Sequence, residues 1–305
     1  MNFKLQTSVI LITLPPHPMS MSADLVYSYA YLLCVAAFVC ALLIYGLMRK
    51  NSPELAWHRH GKVSTSQFNQ VDKFGIALIL LIFGAIMVMA QAPPELDADG
   101  EAKAVKVTPM IMIVGMISQQ LVFVFIVMAL MMFRGTNFVE LFGLRWKKAR
   151  YLVLIAPVGV ILVYVFGFAL IILGYNEWLQ QTFGNDSKLQ ETVRVYQEIH
   201  AVTIRIMMAF AVVILAPICE EILFRGYIYA ATKRFTDRFF ACLFSSLLFS
   251  VVHYNINALL PLLFLAVILA IAYELTGSLW APISIHALFN ASTLINLEMG
   301  NVPGS

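Results

Sequence analysis

The sequence predicts an all-α fold, a polytopic transmembrane helix bundle of about eight spans. Of its 305 residues, 61% are hydrophobic and only 12% are charged, with a mean hydropathy of +0.83. Soluble domains run at roughly 45 to 50% apolar and about 25% charged. The apolar residues gather into runs of about 20, long enough to cross a hydrocarbon core of about 30 Å as helices. The weak alternation of apolar and polar residues expected of an outer-membrane barrel is missing.

The spans follow one another with charged punctuation. The first, about Leu25 to Met48, runs into a basic loop with Arg49, Lys50, Arg59, Lys62 and Lys73. The second, Phe74 to Ala92, runs into an acidic one with Glu95, Asp97, Asp99 and Glu101. Behind the third, Thr108 to Phe133, come Arg134, Arg145, Lys147, Lys148 and Arg150. The fourth, Tyr151 to Gly174, precedes a stretch from Asn176 to His200 whose mixed polarity suits an interfacial or loop helix and whose only basic residues are Lys188 and Arg194. The fifth, Thr203 to Thr232, ends at Lys233, Arg234 and Arg238. Phe239 to Tyr254, Ala258 to Leu275 and Leu279 to Leu297 complete the set. Because basic loops stay on the cytoplasmic side, the first, third and fifth loops face the cytoplasm and both termini lie outside.

Three regions follow. Residues 1–24 read as an N-terminal leader or a mis-assigned start, with Pro15, Pro16 and Pro18 breaking any helix and Met19 or Met21 as other possible starts. Residues 25–175 form N-terminal transmembrane helices, and residues 203–297 a C-terminal helical core. The formal net charge of +3 sits mainly between spans and reads as topology information, so no nucleic-acid partner is expected. Cys34, Cys40, Cys219 and Cys242 lie in or beside apolar runs without a CxxC pair and read as small buried hydrophobes.

Ionisable groups at membrane depth are expensive and mark function by default. The C-terminal core carries three short motifs of them. In Glu220-Glu221-Ile-Leu-Phe-Arg225, Glu221 and Arg225 stand four apart, one turn above the other, in the orientation that favours an ion pair. Glu220 points about 100° away from that pair and is left free for proton chemistry. In Phe249-Ser-Val-Val-His253 and His286-Ala-Leu-Phe-Asn290, the same spacing puts both residues on one helix face. At about 1.5 Å per residue from the cytoplasmic ends, Glu220, His253, His286 and Asn290 come out roughly 13 to 22 Å deep. Three successive motifs thus deliver polar groups to one level.

The run Ala216 to Gly226, then Phe249 to His253, then Gly277 to Asn290 resembles the type II CAAX prenyl endopeptidase and bacteriocin-processing family, called CPBP or Abi. Its motifs EExxxR, FxxxH and HxxxN occur in order. The resemblance covers Thr203 to Leu297 and implies an intramembrane endopeptidase of glutamate type. Carried over, Glu220 with His253 activates a water, His286 with Asn290 forms the oxyanion hole, and Glu221 and Arg225 shape the site. Phe249 reads as a packing residue one turn from His253. The expected setting is a prokaryotic plasma membrane, and the expected partners are the lipid bilayer and a membrane-associated protein or peptide substrate.

Two alternatives stay open. A zinc-dependent variant would use two histidines and a glutamate, although the spacing is unlike HExxH; otherwise no cofactor or metal is expected. A transporter, receptor or immunity scaffold could use the same polar chamber without catalysis, although no inverted repeat supports transport. Gln119, Gln120, Asn255, Asn257 and Asn296 read as interhelical or boundary residues, His58 and His60 as headgroup contacts, and Glu274 with Gly277 as a helix end or the entry to the site. Pro217 and Pro282 read as openings for an extended substrate.

Overall fold

The structure is a computed structural model that describes residues 23–52, 60–90, 108–132, 135–183, 199 and 201–299. Among these residues there are helices and no strands. In chain order they are α1 (Ala23–Asn51), α2 (Val71–Ala90), α3 (Pro109–Met132), α4 (Leu152–Ile172), α5 (Tyr175–Phe183), α6 (Val202–Phe235), α7 (Arg238–Val251), α8 (Leu259–Thr276) and α9 (Trp280–Glu298), with a short turn at Phe138–Leu141 before α4. The leader, the acidic loop after α2, His58 and the stretch 184–198 lie outside the described residues.

Six of these helices, α1 to α4, α6 and α8, are long and apolar enough to cross a membrane. The expected spans at Phe239 to Tyr254 and Leu279 to Leu297 are present as α7 and α9, but α7 has only 14 residues and α9 is less apolar. Large apolar side chains cover the outside, among them Phe74, Phe125, Val153 and Leu173. So much exposed apolar surface would be an aggregation liability in water and is matched by lipid tails. The chain is a multi-pass membrane protein.

The core gathers on α6, against which α3, α7, α8 and α9 pack. On the far side α4 lies on α8 and α9 through Val160, Val163, Leu265, Leu269 and Ile285. Gly159 permits that approach, since a Cβ there would come within 2.8 Å of Ile285. α1 runs antiparallel to α7: Tyr45 meets Asp237, Phe38 stacks on Phe244 at 4.9 Å, and Tyr27 stacks on Tyr254 at 4.4 Å.

Two departures from regular helix shape the middle of the bundle. First, α6 widens into π-helix at Ala211–Leu215 and again at Ile222–Tyr229, a distortion frequent at functional sites. In the first stretch Ala216 N donates to Ala211 O, the five-residue spacing of a π turn. On that spacing the next carbonyl, Val212 O, would look to Pro217, which has no N–H to give. Second, α7 ends at Val251, so His253 lies in a turn rather than on the helix expected there, and Tyr254 takes a left-handed φ of 51°. Irregular backbone at membrane depth persists where protein covers it. Here Asn255 Oδ1 accepts from Ala258 N at 3.1 Å, and the Tyr175 hydroxyl from α5 donates to Ile256 O at 3.2 Å.

Candidate active site

Glu221 and Arg225 are fully buried and paired, with Arg225 Nη1 donating to Glu221 Oε1 at 2.9 Å. The other arm of the guanidinium donates from Nη2 to Ala266 O on α8 at 3.0 Å, and its plane lies over the Phe249 ring, 4.7 Å from the centroid. A planar fork can make both bonds and the stack at once, which a lysine could not. Glu221 Oε1 also accepts from His286 Nδ1 at 2.9 Å. This buried pair therefore does more than join two turns of α6: it ties α6 to α8 and orients an imidazole on α9.

Glu220 leaves α6 on a different face, as the 100° offset predicts. Its Oε1 accepts from Gln120 Nε2 on α3 at 2.7 Å. Its Oε2 is buried without a direct hydrogen-bond partner and stands 3.8 Å from both His253 Nε2 and His286 Nε2. His253 Nδ1 is 2.6 Å from Phe249 O. A carbonyl can only accept, so Nδ1 carries a proton, and Nε2 is the nitrogen turned toward the carboxylate. His286 is oriented the same way, with Nδ1 donating to the Glu221 carboxylate and Nε2 facing Glu220.

Phe249 is the apolar wall of this arrangement. Besides stacking under Arg225 it lies 4.5 Å from the His253 ring and meets the His286 ring edge-on at 5.8 Å. One aromatic side chain thus touches three of the polar groups, and its own carbonyl sets the tautomer of one of them, the His253 imidazole.

Asn290 lies on the His286 face of α9 and bonds the backbone of α6. Its Nδ2 donates to Val212 O at 2.9 Å, satisfying the carbonyl that Pro217 leaves without a π-helical donor. His286 and Asn290 share a face of α9 but not a hydrogen-bond partner. Pro217 thus has a local consequence, a π-helical carbonyl without its backbone donor that Asn290 meets.

Three further residues gain definite partners, and one of them, Lys233, departs from its sequence reading. Gln120 is a direct partner of Glu220, and the available signal was a pair of carboxamides, Gln119 and Gln120, in mid-span of an apolar helix. Lys233 is not a loop charge: it is fully buried, and Nζ donates to Glu274 at 2.8 and 3.0 Å and to Val63 O at 3.0 Å. Glu274, also bonded by the Tyr229 hydroxyl, therefore belongs to a separate cluster near the ends of α6 and α8. Gly277 does cap α8, with φ 71° and its N–H on Tyr273 O at 2.7 Å. Among the described residues no three His, Cys, Asp or Glu side chains form a metal-ligand group. Beside the site, a cavity of about 260 Å³ between α3 and α6 is lined by Met112, Ile113, Met116, Gln119 and Met208.

Residues 202–292 match a family model described as type II CAAX prenyl endopeptidase Rce1-like. These residues belong to that Rce1-like family. The matched stretch holds Glu220, Glu221, Arg225, His253, His286 and Asn290, and excludes Gln120. A Bacillus subtilis (strain 168) protein named "Putative membrane peptidase YdiL" is 34% identical over 113 residues, 37% of this chain. The aligned stretch spans 45% of that relative's length. No solved structure matches the chain.

Proposed function

We propose that this protein is an intramembrane endopeptidase that hydrolyses a peptide bond of a membrane-associated or CAAX-like substrate with a glutamate-activated water. The observation that carries the proposal is the Glu220 carboxylate: one oxygen is held, and the other, directly unbonded, faces two imidazole nitrogens at 3.8 Å each. That spacing is too long for direct hydrogen bonds and suits a water that touches all three atoms. The Rce1-like match over the same residues supports the choice of peptide hydrolysis over ligand binding.

In the reaction, Glu220 Oε2 takes one proton of the water while His253 Nε2 accepts a hydrogen bond from the other. The water oxygen attacks the carbonyl carbon and the carbonyl π pair moves onto its oxygen. Donors must meet that charge. We assign that task to His286, when both of its nitrogens carry protons, and to the second N–H of the Asn290 amide, whose first is spent on Val212 O. One such donor is commonly worth about 2.7 to 4 kcal/mol. As the tetrahedral species collapses, the C–N bond breaks and Glu220 returns its proton to the leaving amine. No bound cofactor enters this sequence. The setting we propose is a prokaryotic plasma membrane, with both termini outside.

The test uses the purified full-length protein in detergent and an internally quenched peptide ending in a farnesylated CAAX sequence, beside its unprenylated twin. Cleavage of the lipidated peptide that disappears in Glu220→Gln and His253→Ala is the expected result. Failure of the wild type to cut either peptide, or cutting by Glu220→Gln, overturns the proposal. Cutting of both peptides alike removes the lipid from the substrate description.

A further inference from the structure

We infer that Gln120, on α3 and outside the family-matched residues, is a positioning residue that holds Glu220 and selects which of its oxygens receives the water's proton. This rests on the role proposed for Glu220.

A glutamate side chain has three rotatable bonds, and a free carboxylate can turn either oxygen anywhere within its reach. The Gln120 amide takes that freedom away through a 2.7 Å bond to Oε1, at the short end for an N–H donor to an ionised oxygen. An ionised carboxylate only accepts, so the amide nitrogen rather than the oxygen faces it. With Oε1 engaged as an acceptor, the lone pairs left for an incoming proton are those of Oε2, the oxygen that faces His253 and His286.

The residue type matters as much as the position. Glu221 shows what a cation does here: Arg225 neutralises it and turns it into a structural anchor. A lysine or arginine at position 120 would do the same to Glu220. A carboxamide orients the acid without adding charge, so the acid stays available as a base. The hydrogen-bonding requirement also explains a polar residue in mid-span of α3, whose neighbours Leu121, Val122 and Phe125 are exposed apolar side chains. The N-terminal helices thereby complete a site whose other ionisable side chains come from α6, the turn after α7, and α9.

Gln120→Met keeps the length and shape of the side chain and removes the donor. In the full-length protein acting on the quenched peptide, kcat is expected to fall about ten- to hundredfold with KM unchanged, the size of a hydrogen bond to a charged group acting on the chemical step. A second readout needs no substrate. In protein labelled with carbon-13 glutamate, the wild-type minus Glu220→Gln infrared difference isolates the Glu220 carboxylate stretch, and Gln120→Met should shift that band. Wild-type kcat in Gln120→Met, or an unmoved carboxylate band, overturns the inference. A fall in kcat matched by a rise in KM or by a lowered unfolding midpoint would assign Gln120 to packing and also overturn it. Should Glu220→Gln itself stay active, the proposed function fails first, and the infrared band still reports whether Gln120 holds Glu220.

Discussion

Lys233 offers the sharpest test of how this bundle is held together. It is completely buried, and its ammonium spends its donors on both oxygens of Glu274, at 2.8 and 3.0 Å, and on Val63 O at 3.0 Å. Lys233→Met leaves a side chain of similar reach but strands the Glu274 carboxylate, which is only 12% exposed and keeps the Tyr229 hydroxyl as a partner. Breaking a buried pair by removing one partner costs about 3 to 5 kcal/mol. The surviving Tyr229 bond places this case near the lower end, and the orphaned Val63 carbonyl adds about 1 kcal/mol. Lys233→Met should therefore destabilise by about 4 kcal/mol. Removing both charges in Lys233→Met with Glu274→Leu should recover all but about 1 kcal/mol, because paired charges in a low dielectric gain little over well-packed apolar groups. Equilibrium unfolding by SDS in mixed micelles, followed by tryptophan fluorescence, measures both values. A single variant within about 0.5 kcal/mol of wild type, or a double variant no better than the single, would refute the reasoning.

Arg225→Met should cost about 3 to 5 kcal/mol in the same unfolding assay, since Glu221 would lie buried without its cation, keeping only the His286 N–H. His253→Ala should lower kcat by about 10² to 10⁴, as loss of a proton-handling partner does, beside a loss of about 1 kcal/mol of stability for its bond to Phe249 O, read in the unfolding assay. Asn290→Ala separates two roles: about 1 kcal/mol of stability is lost if the amide serves only Val212 O, and kcat falls a further 10² to 10³ if its second N–H meets the oxyanion, read from steady-state kinetics beside unfolding. Gly277→Ala should cost about 1 to 2 kcal/mol, because the left-handed φ of 71° strains any Cβ and the new atom would meet Lys62 at 3.2 Å.

The membrane class, the helical spans and the three motifs follow from chain-local facts. Hydropathy over a window of residues decides that a segment leaves water, and a four-residue spacing decides that Glu221 and Arg225 can pair. Composition also marks Gln120 as anomalous, but an isolated carboxamide carries no sign of whether it bonds another helix's backbone or a catalytic acid. The same ambiguity hides Lys233. Next to Arg234 at a span's end it reads as a loop charge, and only the approach of Glu274 from α8 and Val63 from the loop between α1 and α2 makes it a buried one.

Asn290 makes the division plain. Its place on the His286 face is a matter of helical period and is read directly from the sequence. Its partner depends on a π turn in α6 and a proline five residues beyond Val212, which together leave one carbonyl in search of a donor. By itself the sequence determined which residues leave water, which share a helix face and which motifs they compose, because those depend on neighbours along the chain. The tertiary structure alone decided that Gln120 holds Glu220, that two imidazoles converge on its second oxygen, and that Lys233 is sealed in the core. Those facts depend on approaches between residues up to 170 apart in the chain, such as Val63 and Lys233, which no local periodicity encodes.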